Sequence, residues 1–79
     1  MIPLYGFLAG DTIGLLVLAE PDDSAAVLCH KLQSAASVRV RPLARPVLVH
    51  QGRRLAPDVT VTQANIGPLD RFDVVEDTR

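Results

Sequence analysis

The sequence predicts an α+β fold in which one helix crosses one face of a mixed sheet of four to five strands. Three observations support this prediction. Two apolar runs near the N-terminus are separated by a short turn, a segment with helical spacing of apolar residues follows, and the second half holds short strand-like runs between turn residues. Because the chain has only 79 residues, we expect one domain over residues 1–79.

The first two strands are predicted from the apolar runs at residues 2–8 and 12–19. Gly10 and Asp11 between them are residues that favour turns, so the two runs are expected to pair as a hairpin. Neither run alternates cleanly between apolar and polar residues, which suggests that parts of both faces of the hairpin are covered.

The helix is predicted to follow the acidic segment 20–24, where Asp23 or Ser24 can accept hydrogen bonds from the N–H groups of the first turn. From Ala25 onward the apolar residues recur with helical spacing, and we expect the helix to end near Ser37. The predicted apolar face comprises Val27, Leu28, Leu32 and Ala35 or Ala36.

The second half of the chain is predicted to complete the sheet. Its elements are a basic connector with two prolines at 38–46, strands at 47–50 and 53–55 around a Gln51-Gly52 turn, one helical turn at 62–65 and a last strand at 71–76. With two Phe, one Tyr and no Trp, the core must be mainly aliphatic. The predicted core residues are Leu4, Ile13, Leu15, Val17, Val27, Leu28, Leu32, Leu48, Leu55, Ile66, Phe72 and Val74.

No set of residues indicates catalysis, a metal or a cofactor. His30, His50 and the single cysteine, Cys29, have none of the spacings that zinc or redox sites use. There is no glycine-rich loop to hold phosphates, and the acids lie where a helix start and turns favour them. We therefore expect a protein without enzymatic activity and without a cofactor. One cysteine excludes an internal disulfide and suggests a reducing, cytoplasmic compartment.

Charge and hydropathy exclude further classes of partner. The formal net charge of −1 predicts no general affinity for nucleic acid or for anionic membranes. No apolar stretch approaches the length of a membrane span, and no positively charged segment precedes an apolar run as in a secretory signal. The expected partner is another protein, and association of the chain with itself stays open.

Arginine is the most unevenly distributed residue type. Five arginines fall between positions 39 and 54, namely Arg39, Arg41, Arg45, Arg53 and Arg54. They indicate either a solvated polar face or an edge for protein docking, since arginine is favoured at interfaces and pairs bidentately with carboxylates. Nucleic acid is a third interpretation, disfavoured because no aromatic residues are interleaved for base stacking.

Three turn segments resemble those of ubiquitin-like β-grasp domains. They are Gly10-Asp11-Thr12-Ile13, Gly52-Arg53-Arg54-Leu55 and Asn65-Ile66. The resemblance covers nearly the whole chain and implies that the first and last strands lie parallel at the sheet centre. It also implies a docking patch at Val49 and Val75, which by strand phase should point away from the helix. The chain ends Glu76-Asp77-Thr78-Arg79, without the Gly-Gly end that ubiquitin and sulfur carriers activate, so we do not expect that chemistry.

A narrower resemblance is to the small ubiquitin-like subunit of bacterial multicomponent di-iron monooxygenases, the B or gamma subunit of toluene-4-monooxygenase type. The matching segments are Ile2-Pro3, Leu16-Val17-Leu18, Asp23-Ser24, Val27 and Lys31, Val40-Arg41-Pro42, residues 55–61 and Asp73-Val74-Val75-Glu76. In that family the di-iron centre lies in the large hydroxylase subunit, and the small subunit packs outside it without a metal. The resemblance therefore implies a non-catalytic accessory subunit of an aromatic-hydrocarbon hydroxylase.

Two other classes stay open. One is a stand-alone ubiquitin-like interaction module of the kind associated with bacterial type VII secretion, and the other is a sulfur carrier. If the chain docks on another protein, as an accessory subunit or as an interaction module, the predicted contact residues are Arg39, Arg41, Val49, Arg53, Arg54 and Val75.

Overall fold

Residues 1–77 are described by this computed structural model, and they form five strands and one helix. The elements are β1 (Ile2–Leu8), β2 (Gly14–Ala19), α1 (Ala25–Ala36), β3 (Pro46–His50), β4 (Arg53–Leu55) and β5 (Arg71–Glu76). The strand order is β2-β1-β5-β3-β4, with β1 parallel to β5 and the other neighbours antiparallel. The predicted α+β class, with first and last strands parallel at the centre, is confirmed. Thr78 and Arg79, on which the expected lack of a Gly-Gly end depends, lie outside the described residues.

Turn chemistry fixes both hairpins. Gly10 has φ 91° after β1, and the two residues between β3 and β4, Gln51 and Gly52, have φ 53° and 78°. Positive φ at both central residues is the geometry whose twist matches that of the flanking strands, so the two-residue loop sets the β3–β4 register.

Two different side chains hold the helix start. Ser24 is the N-cap, and its hydroxyl oxygen accepts a hydrogen bond from the Val27 N–H at 3.2 Å. The Asp23 carboxylate instead accepts from the Glu20 N–H at 2.9 Å and from Lys31 Nζ at 2.7 Å. The predicted start and end of the helix are confirmed, because Ser37 is the C-cap.

The core lies between α1 and one face of the sheet. Leu4, Leu48, Phe72 and Val74 on the sheet and Leu32 on the helix are at most 1% exposed. Two predicted core residues are wrong, since Ile13 and Val27 are 48% and 40% exposed.

Val27 is exposed because the buried stripe of the helix runs along other residues. The buried stripe of α1 comprises Ala25, Leu28, Cys29, Leu32 and Ala36. The small residues of this stripe allow α1 to approach the sheet, and Val27 lies about 100° around the helix from Leu28, on the stripe's outer side. Ile13 precedes β2, in the turn after Asp11, and so falls outside the sheet.

The predicted helical turn at 62–65 is present as a single turn. Its Ala64 N–H donates to the Thr60 carbonyl at 2.9 Å, the four-residue spacing of an α-helix. Just before it, the Val61 N–H donates to Asp23 O at 3.0 Å, which ties this loop to the start of α1. Val61 itself is buried, although it is not among the predicted core residues.

Candidate docking surface

One face of the sheet is not covered by the helix. Leu48 and Val74 point toward α1 and are buried, so the alternate positions of every strand point the other way. We call this uncovered side the outer face. It divides into two parts: a hairpin patch of Tyr5, Leu16 and Leu18 on β1 and β2, and a valine patch of Val47, Val49 and Val75 on β3 and β5.

The hairpin patch is strongly exposed. Tyr5, Leu16 and Leu18 expose 45%, 58% and 48% of their surfaces. Tyr5 pairs across the strands with Leu16, and Pro3 pairs with Leu18, so these side chains are direct neighbours. Contiguous exposed apolar side chains are typical of a surface that meets another protein.

The valine patch is half-buried and bordered by charge. Val47 pairs with Val75, while Val49 lies between Asp73 on β5 and Arg54 on β4. The predicted orientation of Val49 and Val75, away from the helix, agrees with the strand register. Their charged neighbours are paired with other side chains, as described next.

Two ion pairs border the valine patch. Arg54 Nη2 lies 2.6 Å from Asp77 Oδ1, and Arg71 Nε lies 2.9 Å from Asp73 Oδ1. The Asp73 carboxylate raises the pKa of Arg71, so this guanidinium stays charged. Charged groups that are already paired leave this half of the face with little net charge.

A stacked group separates the two patches. The guanidinium carbon of Arg71 lies 4.0 Å from the centre of the Phe7 ring, a cation–π distance. On the other side, the Phe7 ring covers Gly14, where an added Cβ would lie 2.5 Å from Phe7 Cζ. Gly14 therefore serves a packing purpose on β2, and Phe7 is shielded while Tyr5 is not.

The six predicted contact residues do not form one surface. Val49, Val75 and Arg54 share the outer face. The others are divided between the two ends of the sheet: Arg39 and Arg41 lie in the connector near the β1–β2 turn, and Arg53 opens β4 at the opposite end.

Arg39 forms an ion pair within the chain. Its Nη2 lies 2.7 Å from Asp11 Oδ2, and the Asp11 side chain is only 4% exposed. This hydrogen bond lowers the pKa of Asp11, helped by the Thr12 N–H, and Asp11 in turn raises the pKa of Arg39. Such a pair holds the connector against the β1–β2 turn.

Two further carboxylates are held by local hydrogen bonds. The Gly67 N–H and then His50 lower the pKa of Asp70, whose Oδ2 lies 3.2 Å from Nε2 of the buried His50. Lys31 and then the Glu20 N–H lower the pKa of Asp23. Both sites stabilise turns at the ends of strands, and an open surface depression of about 320 Å³ lies beside His50 and Asp70.

The described residues offer little for chemistry. Burial raises the pKa of the Cys29 thiol to about 11, which keeps it protonated and unreactive. A groove of about 340 Å³ lies between α1 and β3, with Cys29 and Leu48 in its wall. Within residues 1–77, no three His, Cys, Asp or Glu side chains are grouped to hold a metal ion. That same part of the chain contains no helix long and apolar enough to cross a membrane.

A protein-family model, the toluene-4-monooxygenase system protein B (TmoB) family, matches residues 1–75. The chain belongs to this TmoB family. Among curated proteins, none matches the sequence closely enough to count as a relative.

The fold of this chain is similar to three solved structures. A chain of the toluene 4-monooxygenase HD complex with the inhibitor 4-bromobenzoate has a TM-score of 0.89 at 20% identity, covering 96% of this chain and 98% of that one. Caldiarchaeum subterraneum ubiquitin has a TM-score of 0.79 at 18% identity, covering 99% and 95%. ATBAG1 in complex with HSP70 also has 0.79 at 11% identity, covering 99% of this chain and 41% of that one. The predicted ubiquitin-like β-grasp fold is thus confirmed.

Proposed function

We propose that this chain is a non-catalytic accessory subunit of a toluene monooxygenase system and that it binds the large di-iron hydroxylase subunit. Membership of the TmoB family over residues 1–75 supports the monooxygenase system. The likeness to a chain of similar length in a toluene 4-monooxygenase complex agrees with a small subunit that works inside an assembly. The proposed compartment is the cytoplasm, in agreement with the free thiol of Cys29.

The observation that carries the proposal is the exposed hairpin patch. Leu16 and Leu18 lie on a strand whose sequence, GLLVLA, has no polar side chain on either face. The sequence predicts that parts of both faces of the hairpin are covered, yet within residues 1–77 Leu16 and Leu18 on the outer face are 58% and 48% exposed. A partner protein that supplies the missing cover explains why the run is apolar on both sides.

Copurification tests this function. We expect the untagged chain to remain with a tagged large hydroxylase subunit through size-exclusion chromatography when both are expressed together, at a fixed stoichiometry. Iron analysis of the separated subunits should find the iron with the large subunit, because this chain has no grouped ligands among its described residues. A chain that elutes alone as a monomer in this experiment contradicts the proposal.

The competing interaction module of type VII secretion type gains no support from the family match or the solved structures. A sulfur carrier needs a thiocarboxylate at the C-terminus, and intact-mass measurement of the chain from cells is its test. The six predicted contact residues stay a prediction, and the variant Val49→Asp examines the one at the centre of the valine patch.

A further inference from the structure

We propose that the free edge of β2, at Gly14 and Leu16, is completed by a strand from the partner. An extended segment of the large hydroxylase subunit pairs with this edge and lays apolar side chains on Leu16 and Leu18. The inference rests on the proposed function and specifies the surface and the binding mode through which the subunit docks.

The hydrogen bonds of β1 establish which way the β2 peptide groups point. The Tyr5 N–H donates to Asp70 O at 2.9 Å, and the Pro3 carbonyl accepts from the Leu69 N–H at 2.6 Å. Pro3 and Tyr5 therefore direct their backbone groups toward β5. In an extended strand the next residue directs its groups to the opposite side, so Leu4 bonds toward β2.

The same alternation continues into β2. Leu4 pairs with Val17 and Gly6 pairs with Leu15, so Val17 and Leu15 use their N–H and C=O groups in the ladder with β1. The groups of Gly14, Leu16 and Leu18 then point away from the sheet, because β2 is its outermost strand. Within residues 1–77, no segment hydrogen-bonds to the outward groups of Gly14 or Leu16.

Lys31 limits how much of the edge is open. Its Nζ donates to the outward carbonyl of Leu18 at 2.9 Å and is held there by Asp23 Oδ2 at 2.7 Å. A lysine on an edge strand is a common protection against indiscriminate strand pairing. Here Lys31 occupies the outward carbonyl at the Leu18 end of β2. The outward N–H and C=O groups of Gly14 and Leu16 stay available, and these define where an added strand can pair.

This protection favours a partner strand over a second copy of the chain. Two copies paired antiparallel about Leu16 would place Gly14 of each opposite Leu18 of the other. The Leu18 carbonyl already accepts from Lys31 in both copies, so the two bonds that it would accept from the Gly14 N–H groups compete with Lys31. A strand of different sequence needs to match only Gly14 and Leu16, and its alternate side chains can fill the space over Leu16, Leu18 and Tyr5.

The chemistry of the occupant follows from these contacts. Its backbone must be extended, because it meets alternating N–H and C=O groups spaced along a strand. Its side chains over the outer face must be apolar and uncharged, because β2 carries no charge and the nearest charged pair, Arg71 and Asp73, is already satisfied. Few hydrogen bonds are available, so much of the affinity must come from apolar contact.

The test removes the outward N–H of Leu16 together with its side chain. In Leu16→Pro the missing N–H is not part of the ladder with β1, and proline is tolerated on edge strands. The matched controls are Leu16→Ala, which loses most of the side chain but keeps the N–H, and Leu16→Met, which keeps the N–H and an apolar side chain of similar volume. Full-length variants are titrated against the purified hydroxylase by isothermal calorimetry, after circular dichroism and thermal unfolding have checked the fold.

We expect Leu16→Pro to bind at least tenfold more weakly than Leu16→Ala, and Leu16→Met to bind within about threefold of the native chain. Equal binding by Leu16→Ala and Leu16→Pro overturns the strand-addition proposal while leaving the proposed function intact. Absence of binding by the native chain overturns the proposed function itself, and the strand addition with it. A free native dimer that Leu16→Pro dissociates overturns the choice of partner and assigns the edge to a second copy.

Hydrogen exchange provides a second measurement that does not depend on a variant. The Leu16 amide should exchange rapidly in the free chain, because it points to solvent, and at least tenfold more slowly in the complex with the hydroxylase. The Leu15 amide, already in the ladder, is the internal control. An unchanged Leu16 rate in the complex contradicts the proposal even if Leu16→Pro fails to fold.

Discussion

The two halves of the outer face have similar aliphatic residues and very different exposure. In the hairpin patch, Leu16 is 58% exposed, whereas Val49 and Val75 of the valine patch are half-buried. Val49 has Arg54 and Asp73 on either side of it across the strands, and Val75 has Val47 beside it, so both valines have a cross-strand neighbour that shields them. Exposure on a sheet face thus depends on the side chains of the neighbouring strands as much as on the residue itself.

Position in the sheet explains why the halves differ. β3 lies between β4 and β5, and both of these strands contribute charged side chains to the outer face. β2 is an edge strand with a neighbour on one side only, and that neighbour contributes Pro3, Tyr5 and Phe7. An uncharged edge strand is a liability unless something covers it, which is the physical reason to look for a partner there.

The largest expected effect is on complex formation. Leu16→Asp should weaken binding to the hydroxylase at least tenfold, about 1.4 kcal/mol, because it places a charge at the centre of the hairpin patch. Val49→Asp should destabilise the fold by about 1 kcal/mol, because Val49 is half-buried and directly opposite Asp73, and urea unfolding measures this cost separately from binding. Calorimetric titration of both variants compares the two patches directly. If Val49→Asp loses more affinity than Leu16→Asp, the valine patch and not the hairpin patch is the docking surface.

The next effect concerns the boundary between the patches. Gly14→Ala should destabilise the fold by about 1 kcal/mol, because its Cβ would lie 2.5 Å from Phe7 Cζ and force the ring outward. Urea unfolding measures the change. In a Phe7→Ala background the same substitution should cost much less, since the obstructing ring is gone. Equal cost in both backgrounds contradicts the assigned packing role of Gly14.

Acid should loosen the hairpin half of the molecule. The pKa values of Asp11 and Asp23 lie below their ordinary 3.8, so each carboxylate stabilises the fold fully above that value. This stabilisation is lost as the pH falls through the lowered values, when protonation breaks the contacts to Arg39 and Lys31. Unfolding midpoints in urea from pH 6 to pH 2.5 test this, and Lys31→Met should flatten part of the decline. If the urea concentration at the unfolding midpoint stays constant as the pH is lowered from 3.8 to 2.5, the prediction is contradicted.

Much of the fold can be predicted from short-range sequence patterns, whereas the candidate docking surface cannot. The Gly10-Asp11 turn, the Ser24 cap and the alternation at Phe72 and Val74 are short-range patterns, and each element they predict is present. The pair of Arg39 and Asp11 joins residues far apart in the chain, so the sequence alone could not separate a docking arginine from a structural one.

The exposure of β2 shows a second limit of sequence reasoning. A continuous apolar run predicts cover on both faces, but it does not say whether the cover belongs to the same chain. Leu16 and Leu18 are not among the predicted core residues, and both are about half exposed within the described residues. The sequence does hold a signal for a partner. It predicts a single helix, which can cover only one face of the sheet, while the run 13–19 is apolar on both faces.

The smallest expected effect concerns the stacked group between the patches. Arg71→Gln removes both the cation over Phe7, at 4.0 Å, and the contact to Asp73, so it should lower the urea midpoint slightly, by less than Gly14→Ala does. Salt separates the two contributions, because the exposed ion pair is screened while the flat packing of a side chain on the ring is not. Arg71→Lys is the matched control, since it keeps the charge but loses the planar stack. If Arg71→Lys has the same midpoint as the native chain in high salt and in low salt, the stack contributes nothing, and Phe7 is held by Gly14 and the strand geometry alone.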